Sequence, residues 1–174
     1  MKIRASLHLG ETDRTLQIYP VLQETDDHLR LKLAACVLFH QADPLLISSP
    51  QQHDALAGQD FAPDLMTADD TNQVTLWIEC GKTTAHKLEK SAKRFRTARM
   101  VMLLAHPHEA KAMAEVASDI GQGRIDVWAF KVGEFERWGR LVAEQTDIIG
   151  EADERSMNLV VNGEVFVTEL ERFS

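Results

Sequence analysis

Three short apolar runs, spaced by two stretches of helical length, constrain this chain more than any other feature. Val74–Cys80 reads V-T-L-W-I-E-C, Met100–Ala105 reads M-V-M-L-L-A, and Arg124–Phe130 reads R-I-D-V-W-A-F. Each is rich in β-forming residues and nearly continuous in apolar character, as expected of strands covered on both faces. Thr83 or Thr84 caps a helix reaching about Thr97, and Pro107 opens an alanine-rich helix ending near Gly121. Alternating strands and helices imply the α/β (α+β) class, with a mixed sheet flanked by helices.

The flanks add hairpins. Lys2–His8 is apolar at every second position, and Thr15–Tyr19 resumes the alternation after a turn-like Gly10–Asp13. Thr25 and Asp26 cap a helix from about Asp26 to Gln41 that carries Leu29, Leu33, Val37 and Phe39, with Pro44 just beyond its end. Residues 48–72 shift to Pro, Gln, Asp, Gly and Ser and read as a long loop. A helix is expected from about Gly133 to Gln145. A closing hairpin follows, Met157–Val161 and Glu164–Thr168 around Asn162-Gly163. At 174 residues the chain suits one domain over residues 1–174.

Composition narrows the function classes. No apolar run approaches the ~20 residues a membrane span needs, and the opening residues lack a signal peptide's apolar stretch, so the expectation is a cytoplasmic protein without membrane association. Cys36 and Cys80 lie in apolar surroundings and read as reduced, buried thiols. Trp77, Trp128 and Trp138 read as core. No glycine-rich phosphate loop occurs, and His106 with His108 lacks the further ligands a defined metal motif needs.

The formal charge of -8 argues against a protein that coats nucleic acid generally. Yet between Lys82 and Arg99 the chain carries Lys82, Lys87, Lys90, Lys93, Arg94, Arg96 and Arg99 against a single acid, Glu89. Such a helix is either a solvated face or a surface for phosphate. Upstream, Glu24 at a helix start, Asp64 in the loop and Glu79 on an apolar strand are three carboxylates that the element order can gather at one sheet edge. Carboxylates held together bind a hard divalent cation and leave positions open for phosphate oxygens and water. An acid on an otherwise apolar strand must be paired, exposed at the sheet edge or metal-bound. Pro63-Asp64 taken alone is a common loop dipeptide.

E-T-D-D at Glu24–Asp27, P-D-L at Pro63–Leu65, L-W-I-E-C-G at Leu76–Gly81 with its basic helix, Val127-Trp128 and N-G-E-V at Asn162–Val165 together resemble the YaeQ family. The resemblance covers most of the chain beyond the first hairpin. It implies a variant of the PD-(D/E)XK nuclease fold, a restriction-endonuclease-like core with hairpins at both ends. It also implies roles: Asp64 as the motif's first acid, Glu79 as its second, and Glu24 as the acid of the first helix, together holding Mg²⁺ or Mn²⁺. The motif lysine is absent, because Gly81 stands two residues after Glu79, so a catalytic cation must come from the neighbouring helix, as Lys87 or Lys90. His28 stands where the family usually has Arg.

Two functions follow. One is a metal-dependent phosphodiesterase or nuclease with a degenerate site. The other is a non-catalytic module on the same scaffold, with a role in transcription among its alternatives, that binds nucleic acid or an acidic protein through Lys82, Lys87, Lys90, Lys93 and Arg94.

Overall fold

The computed structural model describes residues 1–43, 45, 47, 52–121 and 123–174. Pro44 and residues 48–51 at the start of the long loop lie outside the described residues.

The chain opens with strands β1 (Ile3–Leu9) and β2 (Thr12–Ile18), then helix α1 (Asp26–Leu38). Strands β3 (Leu65–Ala68) and β4 (Val74–Cys80), helix α2 (Ala85–Arg94), strand β5 (Arg99–Leu104), helix α3 (Pro107–Gly121) and strand β6 (Ile125–Ala129) follow. Helix α4 (Glu134–Leu141) and strands β7 (Gln145–Ala152), β8 (Ser156–Val161), β9 (Glu164–Glu169) and β10 (Glu171–Arg172) complete the domain. The strands form two mixed sheets, in the orders β2-β1-β7-β8-β9 and β10-β6-β5-β4-β3. Strands β4, β5 and β6 run parallel, as their strand-helix-strand connections require, while β3 pairs antiparallel to β4 at the edge.

One core joins the inner faces of both sheets around α1, through residues such as Leu7, Leu33, Val37, Ile78, Leu103 and Phe166. A second core lies between the other face of the β4-β5-β6 sheet and helices α2 and α3, through Trp77, Leu88, Met102 and Ala117. Helix α1 is buried from Leu31 through Leu38, which explains why it is apolar on nearly every side. Trp138 locks α4 onto it by donating from Nε1 to the Arg30 carbonyl at 3.0 Å. All three tryptophans are buried.

The fold class expected from the sequence is the one observed, with the sheet divided in two. Element bounds need correction in four places, the first being α2, which ends at Arg94 and not near Thr97. Helix α1 ends at Leu38 and not near Gln41, because the His40 ring turns between Thr12 Oγ1 at 2.9 Å and the Ala152 carbonyl at 3.0 Å. The helix expected to reach Gln145 stops at Leu141. Thr146 Oγ1 accepts the Ala143 N–H at 3.0 Å and donates to its carbonyl at 2.9 Å, and Gln145 then opens a strand alternating exposed and buried residues. Within the long loop, Asp54–Leu56 makes a short 3₁₀ turn and Leu65–Ala68 makes β3.

Candidate metal centre

Two polar clusters flank the edge where β3 meets β4. The first lies against α1. Thr25 caps this helix by accepting the His28 N–H at 3.2 Å, which fixes the first turn and its side chains. Glu24, His28 and Lys32 are four apart in sequence and project from one side of the helix start. Glu24 is anchored where its Oε2 accepts the Val21 N–H at 2.9 Å. Its side chain is 1% exposed, and Lys32, 7% exposed, forms an ion pair with Oε1. His28 Nδ1 stands 3.2 Å from the same oxygen, and its Nε2 stands 3.0 Å from Asp64 Oδ1. Lys32 Nζ lies 3.7 Å from Asp64 Oδ1.

These approaches are close, yet Glu24 Oε1 and His28 Nε2 are buried atoms that no hydrogen bond of acceptable geometry satisfies. The cluster is held by charge more than by aligned hydrogen bonds. Asp64 is steered by backbone on both sides of its side chain. Its N–H donates to the Ile78 carbonyl at 3.0 Å, and its Oδ2 accepts the Cys80 N–H at 2.7 Å. Burial works to raise the Asp64 pKa, but the His28 ring, the Cys80 N–H and Lys32 outweigh it and hold this carboxyl below the usual range. Ligand atoms of Glu24, His28 and Asp64 all lie within 4.8 Å of one another, close enough for one ion to reach all three.

The second cluster lies on the α2 side of β4. Glu79 is 4% exposed. Its Oε1 accepts from Trp77 Nε1 at 2.8 Å and its Oε2 from Lys87 Nζ at 2.9 Å. Burial dominates its ionisation, and with help from the nearby Asp64 charge it pushes the pKa up to about 7 despite Lys87. Both Glu79 oxygens are thus occupied, and among the described residues Glu79 is not part of the group of convergent ligand atoms.

The expected site is therefore brought together unevenly. Glu24 and Asp64 converge with each other. Glu79 sits beside them but turns toward α2, where Lys87 meets it. Lys90 is elsewhere, paired with Asp60 at 2.9 Å on the exposed surface. Lys82 pairs with Glu109 at 3.4 Å and Lys93 with Glu89 at 2.7 Å, while Arg94 is exposed beside a cleft of about 320 Å³ that also touches Asp60 and Phe61. Gly81 takes a left-handed φ of +85° as the chain leaves β4. A lysine in that slot would be strained.

His28 and Lys32 did not emerge as site residues from the sequence. A signal existed: Lys32 is a lone charge inside L-K-L-A-A-C-V-L, four residues after His28 and eight after Glu24. A charge in a helix apolar all round has to meet a partner. A cavity of about 780 Å³ lined by His40, Lys131, Glu151 and Thr168 includes none of these residues.

Fold and site together define a two-sheet α/β domain with a half-buried acid-base cluster where its central helix meets a sheet edge. The chain belongs to the YaeQ family: the family described as YaeQ protein matches residues 5–169. Among solved structures, the YaeQ protein from Xanthomonas axonopodis pv. citri superposes with a TM-score of 0.75 at 19% identity, covering 98% of this chain and 96% of that one. The YaeQ protein from Pseudomonas syringae gives 0.72 at 13% identity, covering 99% and 94%. Similarity at these identities shows the fold. No curated protein matches the chain. Among the described residues no helix is long and apolar enough to cross a membrane.

Proposed function

We propose that this protein hydrolyses phosphodiesters with a divalent cation, at a site built from Glu24 and Asp64 with Glu79 beside them. The supporting observation is the convergence of ligand atoms of Glu24, His28 and Asp64, all half-buried residues, within 4.8 Å. Two carboxylates and an imidazole gathered around one point form a donor set that suits a cation, with Lys32 balancing part of their charge. A cation there would polarise a phosphoryl oxygen and make water more acidic.

The chain's own residues supply the rest. Asp64 stays ionised because its backbone and cationic neighbours favour the charged form. Lys32 takes the part of the cation absent at Gly81, and it comes from α1, not from α2. Its ammonium, with that of Lys87, offsets the negative charge that builds on the phosphoryl oxygens as water attacks. Thr25 and the Val21 N–H fix the helix start, so Glu24 is positioned before substrate arrives. The PD-(D/E)XK nuclease likeness that the sequence resemblance implies agrees with this chemistry and makes nucleic acid the first substrate to try.

The competing function, a non-catalytic binding face along α2, has weaker support. Lys82, Lys90 and Lys93 each stand against a carboxylate, which lowers the positive field available to a polyanion. Incubation with labelled single- and double-stranded DNA and RNA in Mg²⁺ or Mn²⁺ separates the two. Cleavage that needs the cation and drops by about 10²-fold or more in Asp64→Asn is the expected result. Salt-sensitive binding without cleavage, unaffected by Asp64→Asn, contradicts it.

A further inference from the structure

We infer that the cation centre includes His28 as a nitrogen ligand and therefore selects a first-row transition ion, such as Mn²⁺, over Mg²⁺. The inference rests on the metal-dependent reading above and gives it a ligand set and an ion class.

Three observations carry it. First, the convergent ligand atoms come from two carboxylates and an imidazole, not from three carboxylates. Glu79, the acid that sequence resemblance offers as third ligand, has each oxygen engaged, one by Trp77 and the other by Lys87. Second, His28 lies between the two carboxylates, with Nδ1 toward Glu24 and Nε2 toward Asp64. A ligating histidine typically gives one nitrogen to the ion while a carboxylate fixes its other N–H; here a carboxylate stands against each nitrogen, so one can be fixed while the other turns to an ion shared with the facing acid. Third, the Glu24 side chain is almost fully buried, and its Oε1 meets the Lys32 ammonium and His28 Nδ1 without a hydrogen bond of good geometry. Among the described residues Lys32 is the one ammonium near both acids, shared with Asp64 at 3.7 Å. Lys32 neutralises one charge of the Glu24–Asp64 pair and leaves the other for an incoming ion.

Donor chemistry then decides the ion. Mg²⁺ favours oxygen ligands and sheds water reluctantly, whereas imidazole nitrogen favours transition ions. With one nitrogen and two oxygens, Glu24–His28–Asp64 matches the second class. The same pair of ions should respond differently to loss of the ring.

Calorimetric titration of the full chain with Mn²⁺ and with Mg²⁺ tests this on wild type, His28→Gln and Asp64→Asn. Mn²⁺ is expected to bind wild type at least about tenfold more tightly than Mg²⁺. His28→Gln, which keeps a polar side chain of similar reach, should weaken Mn²⁺ by about 10- to 100-fold and narrow the difference between ions. Asp64→Asn should weaken both. Pulsed electron paramagnetic resonance on the Mn²⁺ complex adds a direct reading, a nitrogen coupling present in wild type and lost in His28→Gln. Equal affinity for the two ions, or bound Mn²⁺ without nitrogen coupling, overturns the inference and leaves the metal reading standing. Binding of neither ion to wild type overturns both.

Discussion

Substituting Glu79 with Gln should change how stability depends on pH, by an amount the structure sets. Burial raises the pKa of Glu79 from the usual 4.5 to about 7 in the folded chain. Between those values the native state holds a proton that the unfolded chain has released. The stability from that proton is full below 4.5 and is lost as the pH climbs through 7. At about 1.4 kcal/mol for each tenfold change in proton affinity, the loss between pH 5 and pH 8 is about 2 to 3 kcal/mol. Glu79→Gln keeps the shape and an acceptor for Trp77 Nε1 but cannot ionise. Urea unfolding in metal-free buffer, followed by tryptophan fluorescence, measures wild type and variant at both pH values. The wild-type midpoint relative to the variant should fall by roughly 1 M from pH 5 to pH 8, taking a urea dependence of about 2 kcal/mol/M. Asp64, whose pKa is held below the usual 3.8, acts in the opposite sense only as the pH drops below that value, outside this window. A midpoint difference that stays constant to within about 0.2 M refutes the account of Glu79.

Lys32→Met should destabilise the fold by about 3 kcal/mol or more, since it leaves Glu24 buried without its counter-charge; thermal unfolding near neutral pH reads it. Gly81→Lys, which restores the residue the family motif generally carries, should cost about 1 to 2 kcal/mol because φ is +85° there; wild-type stability in that variant contradicts the backbone argument. Burial pushes the Cys36 thiol up to about 12 and raises Cys80 as well, so both should resist a thiol reagent in the folded chain and react at once after unfolding.

The strands and helices of the central region were legible because their pattern is local: apolar runs of strand length, a capping threonine before each of α1 and α2, and a Pro at the start of α3. Strand β7 was not, because its reason for being a strand is remote. It pairs parallel to β1 from the opposite end of the chain, and only residues 142–144, turned by the hydrogen bonds between Ala143 and Thr146, separate it from α4. The divided sheet was equally hidden, since α1 reveals its place between two sheets only through what buries it. At the site, Glu24 and Asp64 were found through the family resemblance. Lys90 was expected beside them because it shares a helix face with Lys87, but the Asp60 carboxylate in the preceding loop draws it outward. In the sequence His28 is only a departure from the family pattern, and the fold places its ring between two acids.

The most direct measurement is hydrolysis of a small activated phosphodiester, bis(p-nitrophenyl) phosphate, which needs no knowledge of the natural substrate. The account predicts release of p-nitrophenol by wild type with Mn²⁺, abolished by EDTA and by Asp64→Asn. A wild-type rate no greater with Mn²⁺ than with EDTA, or one that Asp64→Asn leaves unchanged, contradicts it.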